Sequence, residues 1–340
     1  MNEARIACIS SSRNARILNL AEELGGLGAC RLFPYDSYRE THPYWQTKIV
    51  KLLGRSEAAW LRYRDARLQE ILQEMTAFRP SKILILNVNM TPEQLAAFRA
   101  LAEVVLWFVD PVRDVLEEQR AAWGACRVFA YDRESVACLQ RQGIAASYCP
   151  VGYHRAYAAS SSPVQSEWDI TFVGSPYRTR LQMLEPLAAA AEARGWQFRA
   201  FGPFFEARHI WKRASFRRKW PHLARHLTNG TFSSEEIADI YRRSRICLNL
   251  HGNGSTGVNP RTFEILACGA MEIIDARGDY DVLQPGVDVA VFRDVPDLVE
   301  IVAWHLSHEA ERAAMAAHGH ARICEARSMQ RCLQQLLGGA

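Results

Sequence analysis

The sequence predicts two α/β domains in tandem, each with a parallel sheet covered by helices on both faces. Three observations lead to this prediction. Short apolar runs alternate with amphipathic stretches as far as Pro150, the pattern lapses before Trp168, and the alternation then restarts. A chain of 340 residues also has the length of two domains rather than one.

The first half begins with the strand-like run RIACIS, followed by a stretch of helical spacing that ends at a glycine pair. The apolar runs CRLFPY, KILILN, VVLWFVD, CRVFAY and SYC are predicted as further strands, and the stretches between them as helices. One long helix should end before Pro80, and another should begin after Thr91 and Pro92. We expect residues 1–152 to form one α/β domain.

Residues 153–168 are small and polar and include a proline, a composition typical of a linker. The strands DITFVGS and QFRAFG then follow, and SSEEIADIYRRS opens with a capping box formed by Ser233 and Glu236. RICLNL, AMEIID and VAVF are the next predicted strands. We expect a second domain over 169–325 and a last helical segment over 326–340 that packs back towards the first domain.

The composition is typical of a soluble globular protein, with 49% apolar and 23% charged residues. No apolar run reaches the roughly 20 residues that span a bilayer, and the N-terminus lacks a secretory signal. The nine cysteines are scattered without a CxxC pair, which indicates reduced thiols and argues against a zinc site. We therefore expect a cytoplasmic protein.

The net charge of +4 conceals one basic segment. Over residues 207–234 there is no Asp or Glu, whereas seven Lys and Arg residues are interleaved with Trp211, Phe216 and Trp220. Either this is a solvated insertion helix whose aromatic residues pack inward, or residues 208–226 contact an anionic membrane or acceptor. One patch on a nearly neutral chain does not favour a nucleic-acid partner.

The segment FVGSPYRTR contains a first candidate ligand site. Gly174 permits close approach of the backbone, Ser175 offers a hydroxyl and an amide, and Arg178 and Arg180 fall in the first helical turn. Arginine there opposes the helix dipole, which costs roughly a few tenths of a kcal/mol unless an anion is bound. The segment either binds a diphosphate or carries two solvent-facing arginines after an ordinary turn.

The segment NPRTFEILACGA contains a second candidate ligand site. Asn259, Pro260 and Gly269 suit the N-cap, first and C′ positions of a short helix. The glycine-rich loop LNLHGNGSTGVN before it suits backbone contact with phosphate. Arg261 and Glu264 either pair on the surface, or Arg261 and the first amides bind phosphate while Glu264 accepts hydrogen bonds from a ribose diol.

From about Asp169 to Arg331 the sequence resembles the C-terminal half of the CgeB-like, group 1 glycosyltransferases. The similarity lies in LNLHGNGSTGVNPRTFEILACGAMEIID, in LQPGVDVAVFRDVPDLVEIVAWHLSHEAERAAMAAHGH, and in FVGS with a following arginine. The resemblance implies the GT-B fold, in which two Rossmann-like doubly wound domains face a central cleft and C-terminal helices cross back. The first 150 residues match only in architecture.

The implied activity is metal-independent transfer of a hexose or deoxyhexose from a nucleotide-diphosphate donor to a cell-surface glycan, lipid-linked or protein acceptor. No cofactor is expected, because arginines and helix dipoles would neutralise the leaving diphosphate. DYD at 279–281 has the form of a DxD metal motif, but it lies in a loop without nearby carboxylates, so we expect no metal there.

The resemblance also implies roles for individual residues. Glu264 would hold the ribose, and Gly174, Ser175, Arg180 and the amides near Arg261 would hold the diphosphate. The other positions implied in donor binding are Arg178, Phe201, Gly202, His251, Asn259, Thr262 and Phe263.

Three of these implications carry further detail. Phe201 and Gly202 would approach the base. His251 either touches the sugar or its phosphate, or stabilises the loop by hydrogen bonding. Many related retaining enzymes have a second Glu eight residues before the first, where this chain has Thr256, so the stereochemistry stays open.

The first domain should hold the acceptor. Asp110 ends the strand LWFVD and is either a general base on an acceptor hydroxyl or a cap of the helix after Pro111. Two rival functions are a nucleotide-binding regulatory protein without transfer activity and an NAD-dependent oxidoreductase. Against the oxidoreductase, SSSRNA stands after RIACIS where a GxGxxG motif would be expected.

Overall fold

The computed structural model describes residues 4–10, 15–34, 57–87, 90–113, 115–158, 165–205, 210–252 and 256–338. The chain forms two compact units, one of Met1–Val151 with Met329–Ala340 and one of Gly152–Ser328. Each unit is built on a six-stranded parallel sheet. The predicted pair of α/β sheets with flanking helices is therefore confirmed.

The first sheet has the strand order β2-β1-β3-β4-β5-β6. Its strands are β1 (Arg5–Ser10), β2 (Ala29–Pro34), β3 (Lys82–Leu86), β4 (Glu103–Phe108), β5 (Arg127–Ala130) and β6 (Ala146–Tyr148). The helices described with it are α1 (Ala15–Gly25), α2 (Glu57–Phe78), α3 (Pro92–Arg99), α4 (Glu117–Gly124), α5 (Arg133–Arg141) and, from the end of the chain, α12 (Met329–Leu337).

Successive side chains of the inner strands enter two apolar clusters on opposite faces of this sheet. In β3, Ile83 and Ile85 belong to one cluster, while Leu84 and Leu86 belong to the other. Because both faces are covered, the strand is apolar throughout instead of alternating. The second cluster includes Leu336 of α12, so this helix completes the core of the first unit.

The second sheet has the strand order β9-β8-β7-β10-β11-β12. Its strands are β7 (Trp168–Val173), β8 (Phe198–Gly202), β9 (Leu227–Asn229), β10 (Ser244–Asn249), β11 (Met271–Asp275) and β12 (Ala290–Phe292). The helices described with it are α6 (Arg178–Arg194), α7 (Ile210–Lys219), α8 (Ser234–Arg242), α9 (Pro260–Ala267), α10 (Val295–Ser307) and α11 (Glu309–Ala326). The order of strands along the chain reverses between β7 and β10, which is the Rossmann arrangement.

The helix ends follow the local sequence. Ser233 and Glu236 form the predicted capping box of α8. Asn259 caps α9, and Gly269 adopts a φ of 75° just after it, a conformation that glycine reaches without steric cost. In the part of the chain that the structure describes, no helix has the length and apolar content needed to cross a bilayer.

Candidate functional site

The candidate site lies at the carboxyl ends of β7 and β10, where the strand order reverses. Ligands of open parallel sheets bind at this point, because loops diverge from it and helix N-termini point towards it. Both segments singled out in the sequence are found here. FVGSPYRTR connects β7 to α6, which begins at Arg178, and NPRTFEILACGA contains α9, which begins at Pro260.

Two arginines converge on one glycine of this site. A Cβ added to Gly174 would lie 3.3 Å from Nη2 of Arg261 and 3.4 Å from Nη1 of Arg180. Arg180 is only 5% exposed, and it donates to the carbonyls of Leu250 (2.7 Å) and Ser175 (3.2 Å). Burial and the charge of Arg261 lower the pKa of Arg180 to about 10. The two like charges would be stabilised by an anion between them.

The backbone beside these arginines is tightly packed. The amide of Gly174 donates to the carbonyl of Phe201 at 2.9 Å. Gly202 has a φ of 153°, and a Cβ there would lie 2.1 Å from the carbonyl oxygen of Gly174, so only glycine fits. The ring of Phe201 is buried between Trp168 (5.2 Å) and Phe232 (5.7 Å), so its side chain is a core group.

The start of α9 is fixed by two asparagines. Asn259 Oδ1 accepts the backbone N–H of Arg261 at 2.9 Å, and its Nδ2 donates to Oδ1 of Asn249 at 3.0 Å. The same Oδ1 of Asn249 also accepts from Nη1 of Arg261 at 3.3 Å. Asn249, the last residue of β10, therefore holds both the cap and the guanidinium, a role that the sequence did not indicate.

Behind Asn249 lies a buried carboxyl group, that of Glu272 in β11. Its Oε1 accepts from Nδ2 of Asn249 (2.9 Å) and from the hydroxyl of Thr262 (3.0 Å). Burial raises the pKa of Glu272 to about 7, although both hydrogen bonds and the charge of Arg261 oppose the rise. Thr262 and Phe263 are almost wholly buried, so any role of their side chains in ligand binding is indirect.

His251 stabilises the loop between β10 and α9. Its Nδ1 lies 2.8 Å from Oδ1 of Asp275, and its Nε2 accepts the backbone N–H of Asn259 at 3.0 Å. Burial lowers the pKa of His251, which favours the neutral ring that this bonding requires. Asp275 is held on its other oxygen by Arg277 at 3.0 Å. Of the two alternatives for His251, the structure favours the loop-stabilising one.

Glu264 is half-buried, one turn after Arg261 in α9. Burial raises the pKa of the Tyr241 hydroxyl in α8 well above its ordinary value. The charges of Glu264 and Arg261 also act on this hydroxyl. That hydroxyl is buried and makes no hydrogen bond to any described residue. The charged pair of α9 thus borders on a buried polar group.

Of the two arginines in the first turn of α6, Arg178 is exposed and Arg180 is the buried one.

Asp110 lies in the first unit, after β4 and at the carboxyl edge of that sheet. Its Oδ2 accepts from Nδ2 of Asn87 at 2.6 Å, and Oδ1 of Asn87 accepts the backbone N–H of Val109 at 2.9 Å. Asn87 has a φ of 52°. The alternative in which Asp110 caps the next helix is wrong, because α4 begins only at Glu117.

The basic segment divides its aromatic residues between core and surface. Phe216 packs against Phe204 (5.9 Å) and Phe205 (5.6 Å), and Trp220 also lies against the core. Trp211 is 66% exposed. The interpretation as an insertion helix with inward aromatics is therefore correct for two of the three rings. Residues 208 and 209 of the predicted surface lie outside the described residues.

The segment is anchored at its C-terminal end. Glu192 of α6 contacts His222 (2.7 Å), Arg225 (3.0 Å) and His226 (3.1 Å). Four cations of α7 have no part in this anchor and are exposed: Arg213, Arg217, Arg218 and Lys219. Arg225, after α7, is thus paired with Glu192, whereas these four cations of α7 are outside that contact.

The DYD motif has a structural partner. Asp281 accepts from Nη2 of Arg327 at 2.7 Å, and Oδ1 of Asp279 accepts the backbone N–H of Asp281 at 2.9 Å. Among the residues with described positions, no group of three or more His, Cys, Asp or Glu side chains is placed to hold a metal ion.

Comparison with known proteins agrees with this architecture. A model of the family described as glycosyl transferase-like matches residues 178–338. A search of curated proteins gives no match.

Similar solved structures include a glycosyltransferase from Rickettsia africae, with a TM-score of 0.70 and 12% identity over 99% of this chain and 98% of that one. HepE of Anabaena in complex with UDP has a TM-score of 0.67 and 12% identity over 99% and 98% of the two chains. Sucrose-phosphate synthase from Thermosynechococcus elongatus has a TM-score of 0.68 and 14% identity over 98% of both. At these identities the likeness shows the fold, while the CgeB-like subfamily stays a prediction. The fold of this chain is that of the GT-B glycosyltransferases.

Proposed function

We propose that the chain is a glycosyltransferase that takes a sugar from a nucleotide-diphosphate donor without the help of a metal ion. The observation that supports this most directly is the convergence of Arg180 and Arg261 on Gly174, at the point where the strand order reverses. Two cations and two helix N-termini at one point suit a diphosphate and also suit its departure as an anion.

The comparisons support the same class of reaction. The glycosyl transferase-like model covers both arginines, since it begins at Arg178. HepE of Anabaena was solved with UDP and with UDP-glucose, so a UDP-sugar is the first donor to test. A hexose or deoxyhexose would be transferred, and the acceptor would be a cell-surface glycan, a lipid-linked sugar or a protein.

In this proposal Glu264 accepts hydrogen bonds from the ribose diol. It stands one turn into α9 from Arg261, so a diphosphate at the guanidinium would place the ribose within reach of the carboxylate. In the first unit Asp110 would act as the general base on the acceptor hydroxyl, and Asn87 would orient it through the 2.6 Å hydrogen bond.

The exposed cations of α7 and the exposed ring of Trp211 suit peripheral contact with an anionic membrane surface. Such contact would bring the enzyme to lipid-linked acceptors at the inner face of the membrane, in keeping with a cytoplasmic location.

The assignment of Glu264 is tested by ligand-induced stabilisation. UDP, GDP and dTDP are each added to the wild-type protein, to Glu264→Ala and to Glu300→Ala, an exposed carboxylate of α10 that serves as the control. We expect one nucleotide to raise the melting temperature of the wild type and of the control. In Glu264→Ala its affinity should fall about tenfold to a hundredfold, because hydrogen bonds to a charged group are lost. An unchanged shift in Glu264→Ala would refute the role of this residue.

The reaction itself is tested by nucleotide release from a panel of nucleotide sugars, with and without EDTA. Release that persists with EDTA supports the metal-independent mechanism, and release that needs an added divalent ion contradicts it. Nucleotide binding without turnover of any donor would instead favour a regulatory protein that uses the same site.

A further inference from the structure

A buried carboxyl group lies directly behind the proposed diphosphate site. Glu272 is the second residue of β11, opposite Cys247 of β10, and its side chain is fully buried. Both of its hydrogen bonds, from Asn249 and Thr262, reach the same oxygen, Oε1. The other oxygen, Oε2, has no hydrogen-bond partner among the described residues. A buried anion with one unsatisfied oxygen is costly, so this position invites a functional explanation.

Asn249 connects this carboxyl group to Arg261. Its Nδ2 donates to Glu272 at 2.9 Å, and its Oδ1 accepts from Arg261 at 3.3 Å. A carboxylate only accepts hydrogen bonds, so it requires the NH₂ group of Asn249 on its own side. The carbonyl oxygen of Asn249 is thereby turned to the guanidinium. Glu272 thus controls which end of the amide faces Arg261.

The charged and titratable groups around Glu272 come from several elements. Arg261 of α9 favours its ionised form, whereas Asp275 at the end of β11 disfavours it. Cys247 of β10 faces it across the ladder with a raised pKa, so this thiol is neutral, and His320 of α11 is engaged with the carbonyl of Leu266. Arg261 is therefore the one cation of this set whose charge a bound anion would cancel.

We propose that Glu272 is a positioning residue which, as a carboxylate, holds Arg261 through Asn249 before the nucleotide binds, and which takes up a proton when the nucleotide diphosphate binds. This inference rests on the proposed function, because the anion that cancels the charge of Arg261 is the diphosphate.

The proton balance is simple. The diphosphate neutralises Arg261, the attraction that keeps Glu272 ionised weakens, and Oε2 takes one proton from solvent. Oε1 continues to accept from Asn249 and Thr262. No other bond forms or breaks. Because burial raises the pKa of Glu272 to about 7, binding near neutral pH takes up part of a proton, and the affinity falls as the pH rises. The fall is at most about tenfold per pH unit for one coupled group.

The experiment is calorimetric titration with UDP-glucose near neutral pH, in three buffers of different ionisation enthalpy. Each phosphate of this probe has only one ionisable oxygen, which is strongly acidic, so UDP-glucose binds no proton itself near neutral pH. If another member of the nucleotide-sugar panel stabilises the protein more, that compound takes its place. We expect the wild type to take up a fraction of a proton per nucleotide sugar, and Glu272→Gln to bind with no uptake. Glutamine keeps an oxygen for Asn249 and Thr262 but does not titrate.

Two further variants keep the test decisive. Thr262→Val removes one hydrogen bond that favours the ionised form, so the pH of half-maximal uptake should move upward even if Glu272→Gln folds poorly. His318→Gln, at an exposed histidine of α11 outside the site, should retain the uptake. The proposal is overturned if the wild type takes up no proton, if Glu272→Gln takes up as much as the wild type, or if His318→Gln abolishes the uptake. Failure of every panel member to bind the wild type would instead count against the proposed function.

Discussion

Gly174 shows how a single residue without a side chain determines the geometry of the site. An added Cβ would lie 2.9 Å from the ring of Phe172, which is fully buried, and within 3.4 Å of both guanidinium groups. A buried ring cannot move aside without disturbing the core, so the strain would pass to the arginines. Glycine is needed here for space, since its φ is not in the left-handed region.

We therefore expect Gly174→Ala to lower the free energy of unfolding by about 1–3 kcal/mol and to weaken nucleotide binding about tenfold or more. The matched control is Gly124→Ala at the end of α4, where an added Cβ meets nothing within 4 Å. Denaturant unfolding and thermal shift with UDP measure the two effects. Equal behaviour of the two variants would contradict the convergence of the arginines on Gly174.

The sequence indicated some residues of the site and missed others. Arg180 was named because a cation in the first turn of a helix is unfavourable without an anion, and Arg261 because it begins a helix just after a glycine-rich loop. Asn249 and Glu272 were missed, although Asn249 directly follows the apolar run ICL of β10 and Glu272 interrupts the apolar residues of β11, and those polar positions were the available signal. Their mutual hydrogen bond joins neighbouring strands, which spacing along one strand does not show.

At the scale of elements, local sequence predicted the helix ends better than the short strands. Caps act within a few residues, so the box of Ser233 and Glu236 could be identified directly. β9 (Leu227–Asn229) was not predicted, because its sequence LTN contains no apolar run, whereas the equally short edge strands β6 and β12 overlap the runs SYC and VAVF. The stretch after Asp110 was predicted as helix, but α4 starts only at Glu117. The carboxylate of Asp110 therefore caps no helix and accepts a hydrogen bond from the side chain of Asn87 instead.

The helix α7 carries the membrane hypothesis. Its exposed cations and Trp211 should bind vesicles that contain phosphatidylserine and not vesicles of phosphatidylcholine alone, because each basic residue near an anionic surface contributes about 1 kcal/mol. The triple variant Arg217→Glu, Arg218→Glu, Lys219→Glu should lose sedimentation with the anionic vesicles. Charge reversal at three exposed arginines of the first unit provides the control: Arg99, Arg120 and Arg141. The hypothesis fails if the two triple variants sediment alike.

At the scale of the whole molecule, the number and class of the two units followed from alternation and length alone. Parallel strands covered on both faces are apolar runs between helices, and this pattern does not depend on the order of strands in the sheet. The order itself was not visible in the sequence. It differs between the two units, and it is what marks β7 and β10 as the place for a ligand in the second.

The end of the chain belongs to the core of the first unit, and this gives a test of the whole arrangement. Leu336 of α12 is fully buried in the cluster that contains Leu84 of β3 and Leu24 of α1. Leu336→Ala should therefore cost about 2–5 kcal/mol of unfolding free energy in the first unit, although it lies 250 or more residues from both partners in sequence. Leu116→Ala, at a leucine of the same unit that is 60% exposed, should change it by no more than about 0.5 kcal/mol.

Calorimetry in the presence and absence of UDP measures both the loss of stability in Leu336→Ala and its affinity for UDP. The nucleotide contacts proposed above all lie in Gly152–Ser328, which has apolar clusters of its own. Leu336→Ala should therefore leave the affinity for UDP within about twofold of the wild type at temperatures where both are folded, since additivity holds for distant, independent positions. Loss of UDP binding without loss of stability would show that α12 acts on the nucleotide site instead of on the core of the first unit.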